Sequence, residues 1–155
     1  MSKGLIPFAQ VFPQQGTAET RVLTVSGHST LPDDEYALVE AYCDDPACDC
    51  RRCMLNVLAH RQQRVLASIS YGFDRDGEYP GPFLDPLNPQ SAHAAALLAL
   101  VTPVLADGAY RARLEAHYHQ LKRAVAVPPS FIRQSSPPPH SATGRSRHRP
   151  KKKRK

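Results

Sequence analysis

Hydrophobic and polar positions alternate with a period of two through three stretches in the middle of the chain. Residues 35–43 set Ala37, Val39, Ala41 and Cys43 on one face, and Tyr36, Leu38, Glu40 and Tyr42 on the other. Residues 52–59 put Cys53, Leu55, Val57 and Ala59 together, and residues 64–73 do the same for Val65, Ala67, Ile69, Tyr71 and Phe73. Side chains two apart share a face of a strand, so each stretch predicts a β-strand. A shorter candidate, residues 21–26, ends at Gly27. The links at 44–49 and 60–63 are short, which favours antiparallel neighbours. The expectation is a three- or four-stranded antiparallel meander with one packed face.

Beyond Pro89 the period changes. Ser91 is placed to cap a helix whose first half, 92–101, is nearly all Ala and Leu, and Pro103 should kink or end it. Asp107 is placed to cap a second helix over about 108–125. There Tyr110, Leu114, His117 or Tyr118, Leu121 and Val125 recur at three- and four-residue spacing. Between strands and helices, residues 74–89 hold four Pro, two Gly and three Asp, which predicts a loop. Residues 1–20, broken by Pro7, Pro13 and Gly16, read as irregular. Strands first and helices after predict an α+β domain over 21–127, the two helices covering one face of the sheet.

Charge divides the 155-residue chain differently. The formal net charge is +6, yet residues 128–155 carry nine Lys or Arg and no acid, leaving residues 1–127 at −3. That tail also holds six of the fifteen Pro, and Phe131 and Ile132 are its only large apolar side chains. It cannot bury enough surface to offset an ordering cost of ~1–2 kcal/mol per residue, so it is expected to be disordered. Its end, residues 145–155, is dense enough in Arg and Lys to neutralise phosphates, which predicts salt-sensitive, sequence-blind contact with nucleic acid or another polyanion. No aromatic interleaves that run, so base stacking is not offered. No apolar run approaches the ~18–20 residues of a membrane span, and the opening lacks the charged, apolar and small-residue pattern of a secretory signal. These readings point to a cytoplasmic protein.

All four cysteines fall within eleven residues: Cys43, Cys48, Cys50 and Cys53. Thiols are kept reduced in the cytoplasm, which disfavours disulfides there. Structural zinc takes four N or S ligands, commonly from Cys pairs two to four residues apart, and the C-x4-C-x-C-x2-C spacing lets a hairpin tip fold around one ion. One structural zinc on Cys43, Cys48, Cys50 and Cys53 is the expectation. Cys53 has a competing assignment, because its parity with Leu55 and Val57 suits a buried apolar side chain. In that case the fourth ligand comes from elsewhere, His28 first and Asp49 second. Cys43 similarly continues the Ala37–Val39–Ala41 face, whereas Cys48 and Cys50 stand in a polar loop.

The run from Glu35 to Arg52, followed by Val65–Asp74 and Phe83–Pro86, resembles a family of uncharacterised bacterial proteins. Their shared hairpin is Tyr-Cys-x-x-Pro-x-Cys-Asp-Cys-Arg, matched here from Tyr42 to Arg51, and some members carry a C-terminal zinc-binding segment called the SEC-C motif. The resemblance covers roughly residues 20–127 and implies metal binding by Cys43, Cys48 and Cys50, with no established activity. This chain departs at its C-terminus, where the Pro-rich basic tail contains no Cys.

Enzyme signatures are missing from the sequence. It holds no H-E-x-x-H, no Gly-rich phosphate loop, no G-x-S-x-G elbow and no zinc-deaminase H-x-E pattern. Asp74-Arg-Asp76-Gly77 fails the calcium-loop spacing, since position 12 is Phe83 rather than Glu. His117 and His119 stand two apart on a helix and so point to different sides. Two function classes remain: a zinc-stapled scaffold or interaction module, and a thiol redox protein using Cys50 and Cys53. The second is disfavoured because redox C-x-x-C pairs usually open a helix, and this one leads into a strand.

Overall fold

A computed structural model describes residues 4–127. The expected disorder of the tail, residues 128–155, lies outside the described residues. The fold is α+β. Strands β3 (Asp34–Cys43), β4 (Arg52–Ala59), β5 (Arg64–Gly72) and β6 (Phe83–Leu84) form an antiparallel meander in that order. The 74–89 stretch thus contains a two-residue strand, with Leu84 paired to Ile69 and Phe83 to Ser70.

The outer edge of β3 is shared by two strands. β1 (Leu5–Pro7) pairs with Ala41–Cys43, and β2 (Arg21–Val25) pairs with residues 34–38. Val39 and Glu40 are left between them on that edge. The chain leaves β1 there as α1 (Phe8–Val11) and α2 (Pro13–Glu19), then returns as β2. The described part of the N-terminal segment, from residue 4, therefore forms regular elements rather than an irregular stretch. Pro7 ends an edge strand and Pro13 opens a helix, two positions where a missing N–H costs little. Gly16 is buried, and a Cβ there would meet Ala9 at 2.6 Å, so only glycine lets the two short helices pack this closely.

Helices α3 (Ala94–Leu105) and α4 (Gly108–Ala126) cover the sheet face that carries Tyr36, Leu38, Tyr42, Leu55, Val57 and Ile69. The Asp107 side chain accepts a hydrogen bond from Ala109 N at 3.0 Å, the expected cap of α4. Ser91 instead closes the turn before α3, accepting from His93 N at 3.1 Å, and α3 runs two residues past Pro103. Tyr110, Leu114, His117, Tyr118 and Leu121 form the buried face of α4, as the spacing predicts. One strand position departs from parity. Val57 pairs with Ala67 and Leu58 with Val65, so Leu66 is an extra residue in β5. This β-bulge leaves Leu66 buried at 1 % exposure and turns Val65 outward at 45 %.

Candidate metal centre

The cysteine cluster occupies the link between β3 and β4, and each part of that link is held from outside. At its start, Asp44 N donates to Gly4 O (3.1 Å) and Gly4 N donates to Asp44 Oδ1 (3.2 Å), continuing the β1–β3 pairing. Pro46 sits in a tight turn in which Ala47 N donates to Asp45 Oδ1 (2.9 Å) and Cys48 N to Asp45 O (3.1 Å). Asn and Asp favour this kind of turn because their side chains bond the backbone two residues on. Lys122 Nζ, from the last turns of α4, also donates to Asp45 O at 2.6 Å.

The second half of the link is anchored by α4 and by the 74–79 loop. The Tyr118 hydroxyl accepts from Arg51 N (3.3 Å) and lies 3.4 Å from Asp49 Oδ1. Arg51 has a left-handed backbone, φ 48°, which is unfavourable for a residue with a Cβ. Its side chain secures it there: Nε donates to Asp74 Oδ2 (2.8 Å) and an Nη to Glu115 Oε1 (2.7 Å). Arg52 donates to the carbonyls of Glu78 and Tyr79 and to Ser70 Oγ (2.8 Å).

This scaffold brings the sulfur atoms of Cys43, Cys48 and Cys50 within 4.8 Å of one another. Sulfurs bound at ~2.3 Å to one tetrahedral zinc are themselves ~3.8 Å apart, so only small side-chain adjustments separate this arrangement from a ligand set. All three are partly buried and no Cys forms a disulfide among the described residues. Burial pushes the Cys50 thiol above its ordinary pKa, and the Cys48 and Cys43 sulfurs add to the shift; the Arg52 backbone N–H opposes it. Three ionised sulfurs this close repel one another, and a cation between them removes that cost.

Cys53 does not join them. It lies in β4 at 3 % exposure among the residues of the core, and burial raises its thiol pKa far above the ordinary value. The parity with Leu55 and Val57 decides its position. The substitutes do not join either. His28 stands in the turn after β2, at the Asp34 end of β3, where its Nδ1 accepts from Thr30 N and Leu31 N. Ten residues of β3 at ~3.3 Å each place that turn roughly 30 Å from Cys43. Asp49 is exposed and faces Tyr118. Among the described residues, no fourth Cys, His, Asp or Glu ligand atom lies with the three sulfurs.

A second cluster was missed by the sequence reading. His117, 2 % exposed, has Nδ1 against Glu40 Oε1 and Nε2 against Glu19 Oε2. Tyr42 closes the set, its hydroxyl 2.9 Å from Glu40 Oε2 and 3.0 Å from Leu114 O. The signal was present in the pattern: Glu40 has the core parity of Tyr36, Leu38 and Tyr42, and His117 lies on the apolar face of α4. A buried acid and a buried histidine require partners, and here they supply one another.

No family model, curated protein or solved structure matches this chain. Function is therefore read from the residues themselves.

Proposed function

We propose that this protein is a metal-stapled interaction module, with one zinc ion held at the hairpin tip by Cys43, Cys48 and Cys50. The convergence of those three sulfurs within 4.8 Å carries the reading. Zinc suits a thiolate set, has no redox chemistry of its own, and would tie the end of β3 to the start of β4. Arg52, whose described hydrogen-bond partners are all uncharged oxygens, can offset part of the negative charge of the thiolates, Arg51 being already paired with Asp74 and Glu115. The resemblance of the Tyr42–Arg51 hairpin to the bacterial family points the same way.

The runner-up, a Cys50/Cys53 redox pair, loses support from the surroundings of its two thiols. Reactive cysteines have depressed pKa values and access to solvent. Cys53 is buried with its pKa raised, and that of Cys50 is raised as well.

The basic tail, residues 145–155, is proposed to add non-specific contact with nucleic acid or another polyanion. No helix among the described residues is long and apolar enough to cross a membrane by itself. A cytoplasmic setting, which keeps thiols reduced, suits the metal site. Native mass spectrometry with metal analysis tests the reading. One zinc per chain is expected, and a metal-free protein with four titratable thiols overturns it.

A further inference from the structure

The three sulfurs leave a tetrahedral ion one ligand short, and the acids of the link are otherwise engaged. Asp44 receives Gly4 N, Asp45 receives Ala47 N, and Asp49 faces Tyr118. Cys43 and Cys50 both line a cleft of about 200 Å³, together with Arg52, Ser70 and Asp85. Cys50, Arg52, Ser70 and Asp85 also line a neighbouring cleft of about 530 Å³ that extends toward Tyr79 and Phe83. The metal position therefore borders a groove with a cation and an anion on its walls. Every hydrogen bond described for the Arg52 side chain goes to an uncharged oxygen, so these partners leave its charge uncompensated. The Asp85 carboxylate accepts from Leu87 N and Asn88 Nδ2, also neutral donors.

Resting on the zinc reading above, we infer that the ion keeps its fourth position open toward this groove and binds a small aminothiol acid there, free cysteine being the simplest. Three thiolates favour a soft fourth ligand over an oxygen ligand. In the binding step the incoming thiol releases its proton to solvent. Its sulfur forms the fourth metal bond as the metal–water bond breaks, and no electron changes hands. The ligand's carboxylate then pairs with the Arg52 guanidinium, and its ammonium with Asp85. The smaller cleft lies below the ~300–1,000 Å³ of drug-sized pockets, which suits a ligand of few atoms.

The test is to load the purified full-length chain anaerobically with Co²⁺ as a spectroscopic stand-in for zinc, then titrate with L-cysteine. Sulfur-to-cobalt charge-transfer absorption should rise about 1.3-fold as three sulfur ligands become four. L-serine should leave the spectrum unchanged. Compared at full Co²⁺ loading, Arg52→Met and Asp85→Asn should each need about tenfold more L-cysteine for half-saturation. A cobalt-loaded protein whose spectrum ignores L-cysteine overturns the open position while leaving the metal site standing. Failure to bind Co²⁺ overturns both. A four-sulfur spectrum before any thiol is added, from a dimeric protein, assigns the fourth position to a second copy and overturns the small ligand. An equal response to uncharged 2-mercaptoethanol overturns the roles of Arg52 and Asp85.

Discussion

Phe8 lies flat on the imidazole of His117, with ring centroids 3.9 Å apart and planes within 9°. The stack ties the first residue of α1 to the middle of α4, and it seals one face of a histidine whose two nitrogens both meet carboxylates. A neutral imidazole has a single N–H and satisfies only one such partner, so the geometry selects the imidazolium. His117 thus joins three otherwise separate parts of the chain: Glu19 at the end of α2, Glu40 in β3, and its own helix.

The first prediction is a stability maximum in mildly acidic solution. Burial pulls the His117 pKa down, but the hydrogen bonds and charges of Glu40 and Glu19 outweigh it and leave the pKa raised. Glu19 is lowered, chiefly by its hydrogen bond to His117, against some desolvation and with help from Gln15 and Arg113. Tyr42, Tyr110 and Cys53, which also feel the Glu40 charge, are buried groups whose pKa values burial raises, so they stay protonated. The His117 contribution is complete below its unfolded pKa of ~6.5 and is lost as pH rises through the higher folded value. The Glu19 contribution is complete above its unfolded pKa of ~4.3 and is lost as pH falls through the lower folded value. Melting curves from pH 3 to 9 should show a plateau between about pH 4.5 and 6.5. His117→Gln should lower stability by roughly 3 kcal/mol at pH 6, because Glu40 loses its cation, and should abolish the decline above pH 7. An unchanged alkaline decline in that variant would show that other groups produce it.

The second concerns the four cysteines. Cys43→Ser, Cys48→Ser and Cys50→Ser should each cost the bound zinc, whereas Cys53→Ser should retain it and lose about 1–3 kcal/mol of stability through a buried hydroxyl. Alkylation read by mass spectrometry should modify three thiols once a chelator is added and leave Cys53 unmodified until the protein unfolds. Zinc loss in Cys53→Ser, or a reversible Cys50–Cys53 disulfide with turnover, would return Cys53 to the site.

The third concerns the support of the hairpin. Removing the Tyr118 hydroxyl with Tyr118→Phe leaves Arg51 N without its acceptor and frees Asp49, while the ring keeps its contacts with Tyr42 and Phe73. Zinc affinity in a competition assay should fall by about tenfold, the lower end of what supporting residues around a metal contribute. Unaltered affinity would show that Arg51 is positioned sufficiently by Asp74 and Glu115.

The fourth concerns the tail. Deleting 128–155 changes the formal charge from +6 to −3. The shortened protein should melt within a degree or two of the full chain. Any binding to a DNA duplex should disappear, and in the full chain it should weaken steeply between about 50 and 200 mM salt. Binding that survives the deletion would place the contact in the folded part.

Local rules make much of this molecule legible in its sequence. The meander follows from period-two runs joined by short links, and the start of α4 follows from Asp107, whose carboxylate needs only the next turn of backbone. The burial of Cys53 was readable from its parity with Leu55 and Val57, although its spacing from Cys50 argued for a ligand. The clustering of Cys43, Cys48 and Cys50 was equally local, since eight residues of chain contain it.

Tertiary structure decided the rest. Residues 5–19 carry no strong period of their own, and they order because β3 offers them an edge and α4 a surface. The face of β3 that became the core was settled by where α4 landed, which buried Glu40 along with Tyr36, Leu38 and Tyr42. His117 meets Glu40 across 77 residues of sequence and Glu19 across 98. Such pairings leave no short-range signature, because each residue's need for a charged partner exists only after the apolar face around it has closed. The sequence by itself determined which segments alternate, where α4 begins and which cysteines share a loop. Only the packing of β1, α4 and the 74–79 loop around the hairpin fixed how those cysteines converge, and only the packing of α4 on the sheet determined which acids were buried and had to be paired.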